Sequence, residues 1–376
     1  LNVALPAIQA QLGSSGTELF WIVNAYAVVI AGLILFGGSA GDQWGLKRVF
    51  SFGIVLFIAA SAACATVSDT SWMIITRSLQ GLGAAFMIPG SLSMIVAATA
   101  PSRRGRAIGI WSACSVIIPA LGPIVGGILV DLGWWRAVFL INIPIGIVTL
   151  GILATKVRSV RRHPDAPIDL IGAFLSVAGL ATLNFSLLEA TRRGLTDRWV
   201  VVSMLLGLAC LVGFVAYERR AKHPLLTGSL MHNRTLVAAG LMNVTLYSAF
   251  YGMLFFIALN LIQVQGYAAR HAGLAQLPVM MLVRVLSPVA GSMADRFGPK
   301  APLAIGGILG CAGFVALAVP GITSGPADYW TSFFAAMLLL GAAIGMSAAP
   351  LSSTVMGAVP PNQFGMASGI NSALSR

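Results

Sequence analysis

Charge is what this chain has least of. Among 376 residues only 9% are Asp, Glu, Lys or Arg, and the acids number 11. A soluble domain carries roughly 25% charged residues, so this inventory cannot cover a water-facing surface. Four cysteines (Cys64, Cys114, Cys210 and Cys311) lie singly in separate apolar runs, a spacing that suits neither a disulfide framework nor a metal site. The four histidines (His163, His223, His232 and His271) all fall between those runs. A zinc hydrolase buried in the membrane would need histidines on a helix face, so that class loses its ligands. The period-2 alternation of a membrane barrel strand is missing too. What is abundant is apolar: 57% of the chain, with a mean hydropathy of +0.89.

The apolar runs are about 20 residues long, as a membrane-crossing helix requires. Helices are also the natural form, because hydrocarbon leaves no backbone polar group unpaired. The punctuation between runs predicts spans near 18–40, 50–68, 71–97, 105–130, 136–155, 168–189, 199–217, 235–262, 271–294, 301–320 and 328–357. Partial spans lie at 1–12 and from Phe364 onward. Leu1 and Arg376 both stand in mid-pattern, so both ends are read as cut inside helices. The even-numbered loops hold fifteen of the 23 basic residues, among them Lys47, Arg48, Arg103, Arg161, Arg220 and Lys300. The odd-numbered loops hold Arg136, Arg192, Arg193, Arg198 and Arg270. The positive-inside rule therefore places the even loops in the cytoplasm. Trp21, Trp72, Trp134, Trp135, Trp199 and Trp330 flank the odd loops, as an interfacial belt would. The net charge of +12 is thereby accounted for without nucleic acid.

A short repeat ends two even spans. One copy runs Gly38-Ser39-Ala40-Gly41-Asp42-Gln43-Trp44-Gly45-Leu46-Lys47, the other Gly291-Ser292-Met293-Ala294-Asp295-Arg296-Phe297-Gly298-Pro299-Lys300. Repeated halves are a known design of secondary transporters. The glycines are read as allowing a tight two-helix turn, and each Asp as placing a carboxylate where a neighbouring helix begins. One such copy would read as an ordinary capped turn; two at matching positions favour a function.

This repeat resembles the signature of the major facilitator superfamily, and specifically of its fourteen-helix drug:proton antiporters, with Gln43 and Leu46 where basic residues are usual. Asn2-Val3-Ala4-Leu5-Pro6, Trp21-Ile22-Val23-Asn24-Ala25-Tyr26 and Arg77-Ser78-Leu79-Gln80-Gly81 are similar to the motifs of its helices 1, 2 and 4. Gly122-Pro123-Ile124-Val125-Gly126-Gly127 resembles its antiporter motif, although Ile118 stands where a glycine is common. The resemblance covers essentially the whole chain. It implies an all-α polytopic protein of two pseudo-symmetric six-helix bundles with two extra linking helices: residues 1–155, a linker over 156–234, and 235–376. It also implies a multi-pass protein of the inner (plasma) membrane, exporting drug-like molecules in exchange for protons by alternating access. The partners would be a small-molecule substrate, protons and lipid; the chain is expected to act as a monomer, with no cofactor beyond the proton gradient and no enzymatic activity.

Arg77 is the sharpest candidate for coupling, because a charge within a span costs ~2.5–3.5 kcal/mol on insertion scales and usually faces a cavity or a partner. The competing reading has it holding the bundle together through carbonyls of helix 1 or 2. Gln80 joins Arg77 on a small, polar face. Arg284 is the second intramembrane charge, placed either on the cavity or snorkelling toward the cytoplasm. No acid lies in mid-span. The resemblance implies one upstream of Leu1; otherwise Glu189 or Asp131 serves from the outer end. Gly38, Asp42, Gly45, Lys47, Gly291, Asp295, Arg296, Gly298 and Lys300 form the candidate conformational gate. Gly122, Pro123, Gly126 and Gly127 form the candidate antiporter motif. Export of one physiological compound (an antibiotic, lipid or siderophore) is the alternative reading; a channel or an intramembrane enzyme is a remote one.

Overall fold

The computed structural model describes residues 1, 4–157, 169–221, 233–267, 269–319, 321–323 and 325–375. Among them the regular structure is entirely helical. The long helices are α1 (Leu5–Leu12), α2 (Gly16–Trp44), α3 (Leu46–Thr66), α4 (Thr70–Ala98), α5 (Arg104–Asp131), α6 (Asn142–Lys156), α7 (Leu170–Arg193) and α8 (Arg198–Glu218). After residues 222–232, which lie outside the description, come α9 (Arg234–Leu259), α10 (Leu277–Phe297), α11 (Lys300–Ala318), α12 (Phe334–Gly357) and α13 (Phe364–Leu374). Ten described helical segments are long and apolar enough to cross a membrane, and α5, 28 residues long, stands at the remaining predicted position.

Several expected spans are broken where the sequence reads as continuous. Span 6 begins with a separate turn at Ala137–Leu140, span 10 with Ala269–Leu274, and span 12 with Tyr329–Ser332. Span 9 ends in a π-helical turn over Asn260–Val264. Each break lies at the face of the odd loops, where backbone groups can reach interfacial water.

The scarce acids act chiefly as caps. Ser15 and Glu18 form a capping box on α2. Asp69, Asp169 and Asp197 accept first-turn N–H groups of α4, α7 and α8, and Asn233 does so for α9. A cap of this kind contributes ~0.5–2 kcal/mol, and at a membrane surface it closes the backbone groups that hydrocarbon cannot.

Helix α2 packs on α4 and α7, α3 on α4 and α6, and α8 on α7; in the second half α12 packs on α10, α11 and α9. Helix pairs that cross between the halves include α2 and α4 with α13, and α5 with α10 and α12. At the basic face one apolar cluster joins both halves, with Phe36, Phe86 and Ile108 from the first and Val355, Phe364 and Met366 from the second. At the opposite face the clusters are separate. One holds Ile8, Ile22, Met73 and Trp135; the other holds Tyr267, Val279, Tyr329 and Met337. The halves are therefore sealed together at one end and packed independently at the other.

Candidate functional site: two carboxylate clasps and a buried arginine

The seal is built on backbone contact between glycines. A Cβ on Gly38 would lie 2.3 Å from the Gly365 carbonyl oxygen, and one on Gly365 would lie 2.2 Å from that of Gly38. The same reciprocal approach joins Gly291 and Gly105, at 2.0 and 2.3 Å. No side chain fits at any of the four.

On each glycine contact sits a carboxylate. Asp42 Oδ1 accepts the Gly365 N–H at 2.7 Å, and its Oδ2 accepts that of Met366 at 2.8 Å. Asp295 does the same for Gly105 (2.8 Å) and Arg106 (3.0 Å). Each Asp ends a helix of one half and caps the first turn of a helix in the other. A carboxylate at a helix N-terminus is worth about 0.3–1 kcal/mol, rising to ~2 when partly buried. Ser93 adds a bond from α4 to the Phe364 carbonyl at 2.9 Å, and the Arg104 guanidinium lies over the Phe364 ring at 5.4 Å.

One sequence expectation needs correction here. Gly38 and Gly291 are not turn glycines: α2 runs on to Trp44 and α10 to Phe297, with both glycines inside continuous helix. The turns are made by Gly45 (φ 98°) and Gly298 (φ 81°), where a Cβ is disfavoured. Lys47, a member of the candidate gate, bonds elsewhere. It donates to the Val157 and Ala154 carbonyls at 2.6 and 3.3 Å, fastening the start of α3 to the end of α6. Arg296 and Lys300 are exposed at the basic face. The run Gly37-Gly38-Ser39-Ala40-Gly41 also has the spacing of a nucleophile elbow, but it lies inside α2 and not at a strand-to-helix turn, which removes that reading.

The sequence reading pairs Asp42 with the span that starts near Phe364, and Asp295 with the start of span 5 near residues 102–106, and the structure has both contacts. A second signal, unused in that reading, lies in the partner helices. Gly105-Arg106-Ala107-Ile108-Gly109-Ile110 and Gly365-Met366-Ala367-Ser368-Gly369-Ile370 share Gly-x-Ala-x-Gly-Ile. Each follows a single 3₁₀ turn opened by proline, at Pro101–Arg103 and Pro361–Gln363.

Arg77 lies in the half of α4 nearer the odd loops and is 8% exposed. Its Nε donates to the Ile22 carbonyl of α2 at 3.0 Å, its Nη1 to Gln80 Oε1, and its guanidinium lies 4.3 Å from the Tyr26 ring centroid. Gln80 Nε2 donates to Ser61 Oγ at 2.5 Å, and Asn142 Nδ2 reaches the same oxygen at 3.3 Å. The polar chain thus crosses from α2 through α4 and α3 to α6. The bond to Ile22 is the bundle-holding contact foreseen as the competing reading, and the polar network accompanies it.

The remaining candidates are dispersed. Glu189 is buried at the odd-loop end of α7, in the α7–α8 hairpin, and pairs with Arg193 at 2.6 Å. Arg284 is exposed on α10. Around Gly122 and Gly126 no atom of the described residues lies within 4 Å of where a Cβ would stand. The Pro123 side chain lies outside the described residues.

Comparison with known proteins accords with this geometry. The family model described as Major Facilitator Superfamily matches residues 1–376. The methyl viologen resistance protein SmvA of Salmonella typhimurium is 32% identical over 98% of this chain and 74% of its own length. Multidrug resistance protein Stp of Mycobacterium tuberculosis is 30% identical over 99% and 69%. The puromycin resistance protein pur8 of Streptomyces alboniger is 31% identical over 99% and 74%. The human organic anion transporter MFSD10 (TETRAN) has the same fold, with a TM-score of 0.68 at 16% identity over 99% of this chain and 79% of its own. The proton:xylose symporter XylE superposes with a TM-score of 0.63 at 15% identity over 100% and 81%. The chain belongs to the Major Facilitator Superfamily: it is a multi-pass membrane transporter and not an enzyme.

Proposed function

We propose that this transporter exports drug-like amphipathic molecules in exchange for protons, by alternating access between two bundles, residues 1–155 and 235–376. The observation that carries the reading is the pair of carboxylate clasps. They join opposite bundles at one face only, and each bond must break for that face to open. With the basic face taken as cytoplasmic, the state described is outward-open. Arg77 and Gln80 are the residues we assign to coupling, because a guanidinium buried among carbonyl, amide and ring responds strongly to any carboxylate charge that arises nearby. The resistance named for SmvA, Stp and pur8 supports drug-like substrates. The linker over 156–234 then rides on the first bundle through the contact of α7 with α2.

Proteoliposomes of the full-length protein test this. A fluorescent drug-like substrate should move against its gradient when a proton gradient is imposed, and a protonophore should stop it. Gradient-driven transport that persists with the protonophore would overturn proton coupling. A second reading, export of one antibiotic, is favoured by the relative named as the tetracenomycin C resistance and export protein. Saturable transport restricted to one chemical scaffold would select it.

A further inference from the structure

The hairpin of α7 and α8 carries a groove of its own at the odd-loop face. Phe185, Glu189 and Arg193 lie four residues apart on α7, while Trp199, Val202 and Leu206 recur at three and four residues on α8. Such spacing puts each set on one helix face, and together they line a groove of about 300 Å³. It starts at the hairpin turn and runs roughly 12 Å along α7, at 1.5 Å per residue. Trp199, Val202 and Leu206 are exposed, so in a membrane-spanning hairpin the groove opens onto hydrocarbon. The Trp21 ring of α2 stacks on Phe185 with centroids 6.2 Å apart, which ties this wall to the first bundle.

The mouth of the groove is cationic by construction. Arg193 Nε donates to Glu189 Oε2 at 2.6 Å; the glutamate side chain is 7% exposed and the arginine side chain 53%. An arginine that merely snorkels to water needs no buried acid, and burying a carboxylate is costly unless it is paired. Here the acid holds one edge of a planar cation. Among the described residues the guanidinium makes no other hydrogen bond, so its two Nη groups are left for a guest. Beside it the Arg198 guanidinium lies over the Trp199 ring at 5.2 Å. The Asp197 carboxylate is occupied by the Trp199 and Val200 N–H groups. In sequence, Arg192, Arg193 and Arg198 are three of the five basic residues in all the odd loops. The positive-inside rule disfavours basic residues on that side, and this one turn keeps most of those that remain.

We propose that the groove seats a phospholipid of net negative charge from the odd-loop leaflet. Its phosphate accepts from the Nη groups of Arg193, Arg198 adds charge at the mouth, and an acyl chain lies along Phe185, Val202 and Leu206. A cationic guest would find the one acid in the groove buried and already paired. A zwitterionic lipid offers the same phosphate but brings an ammonium toward Arg198. The inference goes beyond the export reading and does not depend on it.

The test is native mass spectrometry of the full-length protein titrated with phosphatidylglycerol, with phosphatidylethanolamine as the comparison. Wild type should bind one phosphatidylglycerol at least tenfold more tightly than further copies, and more tightly than phosphatidylethanolamine. Arg193→Gln should weaken that first event about tenfold, the worth of one charge-assisted hydrogen bond. Val202→Trp, which fills the groove and keeps every charge, should weaken it by as much. Both positions are exposed, so both variants should fold. Excess glycerol phosphate should not displace the lipid. Unchanged affinity in either variant, equal affinity for the two lipids, or displacement by glycerol phosphate would overturn the proposal. No transport is measured, so this failure is distinct from failure of the export reading.

Discussion

Arg77 makes the bundle-holding contact that the sequence left open, and its place in a polar network is what supports the proposed coupling role. Its Nε holds an α2 carbonyl while its remaining nitrogens face Gln80 and the Tyr26 ring. Lysine keeps the charge but loses the planar fork that makes these contacts together. We expect Arg77→Lys to lower gradient-driven efflux at least tenfold while membrane expression stays within twofold of wild type. Efflux at the wild-type rate with normal expression would reduce Arg77 to a structural tie. Gly38 makes a second residue-level case. A Cβ there meets helix backbone, which cannot swing aside as a side chain would. Gly38→Val should therefore part α2 from α13 at the basic face, measured as increased alkylation of a cysteine introduced at Phe364. The charge chemistry at Arg77 was legible in the sequence because a guanidinium in an apolar run is rare. The close approach at Gly38 was not, since a glycine looks alike whether it makes a turn or admits a neighbour.

At the scale of elements, the two clasps are helix caps supplied in trans. Asp42 completes α13 and Asp295 completes α5, each across the line on which the bundles separate. Their whole free energy biases the conformational equilibrium, since no other state contains the contact. Neutralising one removes up to ~1.4 kcal/mol, about tenfold in population. Asp42→Asn should then lengthen the distance between spin labels on the basic-face ends of α2 and α13, and slow turnover without abolishing substrate binding. Asp295→Asn should do the same between α5 and α10. An unchanged distance distribution in both variants would leave the aspartates as caps and nothing more. The sequence pointed to a carboxylate beside a helix start, and even to the two starts concerned. It overlooked the Gly-x-Ala-x-Gly-Ile repeat that makes those starts narrow enough, because that reading followed the repeat with the charge.

For the whole molecule, asymmetry of charge and asymmetry of packing meet at one face. The loops rich in Lys and Arg lie at the end where the halves share an apolar cluster, and the separate clusters lie at the end of the tryptophan-flanked loops. If the basic face is cytoplasmic, a membrane-impermeant thiol reagent applied to intact cells should fail to label Lys47→Cys, yet label a cysteine at the exposed Trp134 readily. Labelling of Lys47→Cys from outside would invert the topology.

The span pattern, the helical class, the loop asymmetry and the family resemblance followed from the sequence alone. Each depends on composition or local order, and hydrocarbon enforces those by penalising every unpaired backbone group. The breaks in spans 6, 10 and 12, the helical course of Gly38, the bonds of Lys47 to the end of α6, and the pairing of Glu189 with Arg193 were decided only in the tertiary structure. In each case the deciding partner lies on another helix, and membrane helices choose partners by fit of small residues and single hydrogen bonds. Such fits leave almost no trace in hydropathy, so they become visible only when the helices are seen side by side.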